Sequence, residues 1–292
     1  MPPVHAEAAP AKVNLALHVT GRRPDGYHEL ESLVVFAEVG DEIEAEPAPA
    51  DSLRITGPFG AGLGNGENNL VARAVAAFRR RWPERLPGGL SLTLRKNLPV
   101  AAGLGGGSAD AAATLRLLAG LGGAPLPLAA LGELALALGA DVPMCLLSKP
   151  CLAGGVGERL TPLRDFPPCH MVLVNPLVPV STPDVFRALG KRDNPGLPPL
   201  PDPLTRPAQL GLWLAETRND LETPARGILG SIGVLVEAMG KRPGCMLARM
   251  SGSGATVFGL FGSAAQAHQA AHDLRERMPA YWVAAAPLIL PA

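Results

Sequence analysis

Alternating apolar and polar residues predict strands at several places along this chain of 292 residues. Apolar side chains occupy every second position from 13 to 19 and again from 90 to 94, which is the period-two pattern of a strand with one buried face. Residues 33–36, 171–174 and 255–261 are short apolar runs of strand length. We therefore expect a strand at each of these places.

Helical periodicity appears between these strands. Residues 70–78 predict one helix, the apolar positions after Ser108 predict a second, and residues 264–277 predict a third. Residues 193–207 are rich in proline and predict a surface loop. The mixture of strands and helices is typical of an α+β or α/β protein.

A glycine-rich segment separates the strand at 90–94 from the helix that follows it. Glycine occupies four of the five positions 103–107, and a residue without Cβ lets the backbone adopt positive φ and approach a ligand closely. Loop N–H groups, the free amides of the first helical turn and the helix dipole can then converge on phosphate oxygens. Ser108 adds a hydroxyl that can cap the helix or help to hold a magnesium ion. The segment predicts a phosphate-binding loop.

Two better-known glycine loops fit this segment badly. The P-loop of nucleoside triphosphatases requires lysine where this chain has Gly107. The dinucleotide fingerprint requires glycine where this chain has Ser108, and no acidic residue follows at the expected distance. A glycine-rich turn without a ligand is the remaining alternative, and the four glycines at a helix start favour phosphate over it.

Composition favours a small-molecule partner. The 26 basic and 26 acidic residues balance, so nothing indicates nucleic acid or an acidic membrane surface. Cys145, Cys151, Cys169 and Cys245 show no paired spacing, which disfavours a zinc site or a disulfide framework. The first residues lack the apolar core of a signal peptide, and residues 126–147 are interrupted by charges and proline, so we expect a cytoplasmic protein.

Three motifs of the chain resemble those of the GHMP kinases, which phosphorylate galactose, homoserine, mevalonate and related alcohols. They are PAKVNL at 10–15, PVAAGLGGGSADAA at 99–112 and SGSG at 251–254. Further matches narrow the resemblance to members that act on a cytidine-diphosphate-linked methylerythritol. These matches lie at 20–28, 139–143, 155–158, 181–186 and 219–222.

The resemblance implies an α+β fold of two domains. Residues 1–163 are expected to form an N-terminal domain like domain 2 of ribosomal protein S5, which carries the ATP phosphate loop. Residues 164–292 are expected to form a ferredoxin-like C-terminal domain. The implied reaction transfers phosphate from ATP, with Mg²⁺ carried by the nucleotide, to the 2-hydroxyl of the acceptor. A monomer or homodimer is expected.

The resemblance also implies roles for single residues. Lys12 and Asp141 match the catalytic pair, in which the aspartate accepts the hydroxyl proton and the lysine offsets charge on the transferring phosphoryl group. No protein ligand for a metal is expected. The ATP-binding residues are expected to be Asn69 and Lys96 around adenosine, with Pro99, Gly103, Leu104, Gly105, Gly106, Gly107, Ser108 and Ala109 in the phosphate loop. The substrate-binding residues are expected to be Asn14, Tyr27, His28, Thr182, Gly252 and Gly254, with Tyr27 and His28 clamping the cytidine.

Local sequence alone leaves alternatives open for several of these residues. Lys12 and Asn14 are two apart on a strand and share a face, yet Lys12 alone also fits a solvated cation at a strand edge. Asp141 also fits a helix cap, and the two roles are compatible. Tyr27 also fits an aromatic anchor of a hairpin. His268 and a second histidine four residues later lack a third ligand and predict a solvated helix face.

Two rival functions remain. Another GHMP kinase activity, of the homoserine or mevalonate type, would use the same phosphate loop with a different acceptor. The pair Tyr27 and His28 argues against it, because a small acceptor needs no clamp for a base. A sensor of nucleotides or sugars on the same fold would lack catalysis, and the presence of Lys12 and Asp141 argues against that.

Overall fold

The computed structural model describes residues 5–291, which divide into two compact units. Unit 1 contains residues 5–11, 40–100 and 105–147. Unit 2 contains residues 12–39, 101–104 and 148–291. Strands β1 (His5–Arg22) and β2 (His28–Ala48) each contribute residues to both units. The expected domain boundary after residue 163 stays a prediction.

The sheet of unit 1 has the order β3-β4-β2. Strand β4 (Gly89–Arg95) pairs antiparallel with β2, where Glu42 lies opposite Arg95, and parallel with β3 (Ser52–Thr56). The three leucines of β4 are buried and alternate with partly exposed residues, as the period-two pattern predicts. The sheet therefore has one face on the core.

Unit 1 also contains α-helices. They are α1 (Leu70–Arg81), α2 (Gly106–Gly120), α3 (Gly132–Leu138) and α4 (Val142–Leu147). Helix α1 begins where the Oδ1 atom of Asn69 accepts a hydrogen bond of 2.9 Å from the Val71 N–H. Of the two roles that the sequence allows for the Ser108 hydroxyl, the helix cap is wrong: the cap position is Gly105, with φ 63°, and no side chain caps this helix. A backbone in the left-handed region favours glycine there.

Unit 2 contains most of β1 and the earlier part of β2. Leu30 to Val34 of that strand pair antiparallel with β5 (Cys151–Gly155), which pairs with β6 (Arg159–Pro162). A second sheet has the order β10-β7-β9-β8, with antiparallel pairing throughout. Its strands are β7 (His170–Asn175), β8 (Cys245–Met250), β9 (Val257–Phe261) and β10 (Trp282–Pro287).

The second sheet confirms the expected ferredoxin-like arrangement. Helical connections follow β7 and β9, which gives the order βαββαβ along the chain. The helices are α5 (Thr182–Arg187), α6 (Pro207–Ala215), α7 (Glu222–Ile228), α8 (Ser231–Gly240) and α9 (Ala264–Arg277). Helices α8 and α9 pack on this sheet, burying Leu235 and Leu274 against residues such as Val172 and Phe261.

The proline-rich residues 193–206 form neither helix nor strand, in agreement with the sequence prediction. Hydrogen bonds nevertheless fix their path. The Asn194 N–H donates to the Val19 carbonyl at 3.1 Å, and the Leu197 N–H donates to the Glu31 carboxylate at 2.7 Å. The segment therefore runs along β1 and β2 as an anchored strap within unit 2.

No helix within residues 5–291 has the length and apolar character required to cross a lipid bilayer.

Candidate active site

Lys12 and Asn14 lie on one face of β1 and are joined by their side chains. The Lys12 Nζ donates to Asn14 Oδ1 at 3.0 Å, and Asn14 Nδ2 donates to Ser32 Oγ at 2.8 Å. Lys12 is only 5% exposed, so the alternative of a solvated cation at a strand edge is wrong. A buried ammonium group oriented by an amide oxygen is suited to meeting a negatively charged ligand.

Within unit 2, the glycine-rich segments 101–104 and 251–254 contact each other. The backbone at Gly103 approaches so closely that a Cβ there would lie 2.4 Å from the Ser251 carbonyl oxygen. The Ser251 hydroxyl donates to the Gly103 carbonyl at 2.9 Å and accepts the Asn14 N–H at 3.2 Å. Only glycine fits at position 103. Parts of the motifs at 99–112 and 251–254 therefore form one local structure with β1.

The motif at 219–222 holds this structure in place. Asn219 Nδ2 donates to the carbonyl oxygens of Met250 and Gly252, both at 2.8 Å. The Glu222 carboxylate accepts the Met250 N–H at 2.8 Å. The polar side chains of the motif at 219–222 thus form hydrogen bonds with the backbone at and beside the glycine-rich segment 251–254, which indicates a structural role for this motif.

Tyr27 lies on the turn between β1 and β2. Its backbone N–H donates to Asp25 Oδ1 at 3.0 Å, which fixes the turn. The residue is 63% exposed, so its ring does not anchor the hairpin by burial. An exposed aromatic ring on a fixed turn offers a surface on which a base can stack.

His28 presents a buried nitrogen that no residue in the described part of the chain satisfies. Its ring stacks on Phe186, with centroids 4.8 Å apart, while its Nε2 atom has no hydrogen-bond partner within residues 5–291. Burial lowers the pKa of His28, and the charges of Arg192 and Arg22 lower that pKa further. The imidazole is therefore neutral at neutral pH, and Nε2 can accept or donate one hydrogen bond.

Phe186 was not predicted as a site residue, although the motif at 181–186 contains it. Helix α5 places Phe186 against His28 and Thr182 near the late glycine segment. The Thr182 and Ser253 hydroxyls share a hydrogen bond of 2.6 Å. Thr182 thus lies beside the segment that contains Gly252 and Gly254, and the substrate-binding role of these three residues stays a prediction.

In unit 1, the Lys96 ammonium group lies between two carboxylates. Its Nζ donates to Asp110 Oδ2 at 2.7 Å and also to Asp41 Oδ2. Burial alone lowers the pKa of Lys96, but Asp110 and Asp41 more than offset this, and the net pKa is raised. The ammonium group thus already donates hydrogen bonds to two carboxylates. A contact of Lys96 with adenosine stays a prediction.

Asp110 has an unusual electrostatic environment. Its pKa is raised to about 7: burial raises it most, the charge of Lys96 lowers it, and the Asp41 carboxylate raises it. Sequence reasoning missed Asp41, which lies on β2 far from every glycine motif. A lysine and two carboxylates in one buried cluster can be recognised only after the chain folds.

The remaining loop residues have different exposures. Pro99, Leu104 and Ala109 are buried, Gly107 is exposed, and Ser108 is partly exposed. Their contacts with phosphate stay predictions. The Asn69 side chain caps α1, and its Nδ2 also donates to the Gly64 carbonyl at 2.9 Å, so its two polar atoms already have partners.

Asp141 lies directly before α4. Its carbonyl oxygen accepts the Cys145 N–H at 3.1 Å, which is the first hydrogen bond of that helix, and the residue is partly exposed. This position agrees with the alternative of a residue at a helix N-terminus. Its role as a base stays a prediction.

Burial disfavours the thiolate form of two cysteines. Burial raises the pKa of Cys151 to about 11, and that of Cys169 to about 12. No group of three or more His, Cys, Asp or Glu side chains within residues 5–291 is arranged to hold a metal. His268 and His272 are exposed on α9, as predicted.

Comparison with known families identifies both halves of the chain. The profile of the GHMP kinases N terminal domain matches residues 69–149, and that of the GHMP kinases C terminal region matches residues 206–280.

Close relatives share about half of their residues with this chain. The 4-diphosphocytidyl-2-C-methyl-D-erythritol kinase of Cereibacter sphaeroides is 52% identical over 277 residues, which covers 94% of this chain and 96% of the relative. The enzyme of the same name from Paracoccus denitrificans is 50% identical over 289 residues, covering 99% of this chain and 98% of the relative.

Solved structures agree with these relatives. A crystal structure of 4-(cytidine 5'-diphospho)-2C-methyl-D-erythritol kinase superposes with a TM-score of 0.79 at 37% identity, covering 97% of this chain and 98% of that one. A homoserine kinase from Cytophaga hutchinsonii has a TM-score of 0.72 at 18% identity, covering 99% and 98%, and shares the fold.

Proposed function

Because the chain belongs to the GHMP kinases, and among them to the 4-diphosphocytidyl-2-C-methyl-D-erythritol kinases, we infer that it transfers the γ-phosphoryl group of ATP to the 2-hydroxyl of 4-diphosphocytidyl-2-C-methyl-D-erythritol. The observation that carries this conclusion is identity near one half over almost the full length of both chains. This reaction belongs to the non-mevalonate route to isoprenoid precursors.

Use of ATP follows from membership of the kinase family. We propose that the loop residues 99–109 bind its phosphates and that Mg²⁺ arrives with the nucleotide. The left-handed backbone at Gly105 and the free amides of the first turn of α2 support this, since both suit a loop that encloses phosphate. Asn69 and Lys96 are proposed to lie near the adenosine.

The catalytic proposal assigns separate tasks to Lys12 and Asp141. Phosphoryl transfer passes through a loose, anionic transition state, so catalysis consists mainly of positioning and charge stabilisation. The buried ammonium group of Lys12, oriented by Asn14, would offset charge on the transferring group. The Asp141 carboxylate would accept the proton of the acceptor hydroxyl as that proton becomes acidic.

The acceptor proposal concerns the cytidine. Cytosine would stack on the exposed ring of Tyr27 and form a hydrogen bond with His28 Nε2, the buried nitrogen that lacks a partner within residues 5–291. A satisfied buried nitrogen is favoured over an unsatisfied one, so a base with matching polar atoms gains specificity here. Acceptors of the homoserine or mevalonate type contain no nucleobase that could bind to Tyr27 and His28.

A panel of acceptors tests the function directly. The protein is incubated with ATP, Mg²⁺ and one of three acceptors, namely the cytidyl methylerythritol, homoserine or mevalonate, and ADP release is measured. We expect ADP release above background only with the cytidyl compound. Equal release with homoserine or mevalonate would contradict the proposed substrate, and binding of ATP without any turnover would favour a sensor.

Tyr27→Ala is expected to raise KM for the cytidyl substrate by about tenfold, because stacking on an aromatic side chain contributes about 1–3 kcal/mol per base. KM for ATP should stay within about twofold, since the ring is proposed to contact only the other substrate. Tyr27→Phe is the matched control, because it keeps the ring and should keep both KM values. Steady-state kinetics with each substrate varied in turn distinguishes these results. Equal changes in both KM values for the alanine variant would contradict the stacking of cytosine on Tyr27.

We propose that the protein acts in the cytoplasm on this small molecule alone, as a monomer or homodimer, without nucleic acid or membrane as a partner. The balanced charge and the buried thiols of Cys151 and Cys169, which form no disulfide within residues 5–291, support this.

A further inference from the structure

A buried cluster of three charged side chains, Asp41, Lys96 and Asp110, links the two ends of the glycine-rich loop. At the entry to the loop, Asp41 Oδ1 accepts the backbone N–H groups of Asn97 and Leu98 at 2.6 and 2.9 Å. Its other oxygen, Oδ2, accepts from Lys96, which donates to Asp110 at 2.7 Å. Asp110 lies in the first turns of α2, where the loop ends. Asp41 thus binds the entry of the loop directly and is linked to its exit through Lys96.

The ion cluster lies directly beside the start of α2. A Cβ built on Gly106, the first residue of the helix, would lie 3.5 Å from Lys96 Nζ and 3.6 Å from Asp41 Oδ2. Asp41 and Lys96 therefore lie next to the residue at which the helix begins. The three side chains are at most 5% exposed, so water does not loosen these contacts.

Burial of this ion cluster costs desolvation free energy, so the cluster is an inefficient way to stabilise a core. It holds two carboxylates and one ammonium group, and Asp110 Oδ1 is buried without a hydrogen-bond partner within residues 5–291. Apolar residues of similar volume usually stabilise a core as well as a buried ion cluster or better. What the ions add is direction, because each hydrogen bond fixes the distance between two elements.

We propose that Asp41, Lys96 and Asp110 form a clamp that positions the phosphate loop for ATP, with Asp41 and Asp110 as positioning residues that act through Lys96. The proposal rests on the proposed function, since it assumes that this loop binds ATP. A loop whose ends are fixed before binding loses less conformational entropy when the nucleotide arrives. Loss of the clamp should therefore weaken ATP binding more than it affects the acceptor.

Asp110→Asn separates positioning from stability. The amide has the same shape and removes a buried charge whose pKa is raised, so the free energy of unfolding at pH 8 should be unchanged or larger. The contact with Lys96 is weakened, and KM for ATP should nevertheless rise about fivefold, while KM for the acceptor stays within about twofold. Unchanged KM for ATP would overturn the clamp, because stability alone would predict no loss.

Asp41→Asn is the second variant, and it should have the larger effect. Its amide oxygen can still accept from Asn97 and Leu98, but its NH₂ group opposes the Lys96 ammonium. We expect KM for ATP to rise about tenfold. In the ATP-free protein, hydrogen exchange of the amides of residues 99–109 should become about tenfold faster.

Arg79→Ala is the control for general destabilisation of unit 1. Arg79 binds Asp51 and the carbonyl oxygens of Leu86 and Gly88 near the other end of α1. It should lower stability without changing KM for ATP or exchange in the loop, and equal effects of Arg79→Ala and Asp41→Asn would also overturn the clamp. Direct titration with ATP distinguishes failure of the clamp from failure of the proposed function. A wild-type protein that binds no ATP would contradict the proposed function. Amide hydrogen exchange of residues 99–109 in the ATP-free protein would still test the clamp.

Discussion

Asp141→Asn is expected to lower kcat by about 10²- to 10⁴-fold, the range that a positioned general base contributes. Asparagine has the shape of aspartate but cannot take up the hydroxyl proton. The carbonyl oxygen that accepts the Cys145 N–H belongs to the backbone, so the start of α4 should form as before. Affinity for ATP should stay within about twofold, because the loss concerns only the transition state.

Single-turnover kinetics with the cytidyl substrate measures this loss, and titration with ATP measures the affinity. Glu133→Gln is the matched control, since it makes the same change of charge on the exposed surface of α3. The control should retain full turnover. If Asp141→Asn turns over at the wild-type rate, Asp141 is not the base.

Lys96→Met is expected to have the largest effect on stability. It leaves the carboxylates of Asp41 and Asp110 buried without a cation, and removal of one partner of a buried ion pair typically costs about 3–5 kcal/mol of unfolding free energy. Both carboxylates are at most 5% exposed, so solvent gives little compensation. Urea titrations of the purified variant measure the loss.

The loss should depend on pH with a definite sign. The pKa of Asp110 is already raised to about 7, and the charge of Lys96 lowers it; without Lys96 it rises further. A raised carboxyl pKa contributes stability that is complete at low pH and is lost as pH rises through the folded-state pKa. The destabilisation by Lys96→Met should therefore be larger at pH 8 than at pH 5, and Asp110→Asn added to it should restore part of the stability at pH 8.

Lys241→Met is the control for the same substitution at an exposed ion pair. Lys241 lies 4.0 Å from Glu237 at the end of α8, and both side chains are 73% exposed. Exposed pairs contribute about 0–1 kcal/mol, so this variant should be nearly neutral. Equal losses for the two lysine variants would contradict the buried cluster as the source of the effect.

Much of the fold could be predicted from periodicity. The helix at 264–277 has the predicted bounds, because Ser263 caps its start and exposed polar residues alternate with buried alanines and Leu274. The strands at 13–19 and 33–36 were found, but each continues well beyond its apolar run. A strand continues as long as its backbone finds partners in a sheet, and the pattern of one strand does not contain those partners.

Contacts between distant segments limited the prediction of the site. The glycine loop, Lys12 and His28 could be singled out as candidates because each lies in a local motif. Asp41 and Phe186 could not be singled out, since their importance comes from Lys96 and His28, which reach them only in the folded chain. The helix start at Gly106, ahead of Ser108, was also decided by the backbone angle of Gly105.

The sequence by itself determined the family, and it predicted the phosphate loop and the residue types that phosphoryl transfer requires, because these are carried by short motifs with fixed spacing. The tertiary structure alone decided which of these groups are buried, what each one bonds to and which remain unsatisfied. Burial and hydrogen bonding depend on the whole fold, and they set the charge of His28, the commitment of Lys96 and the close approach at Gly103.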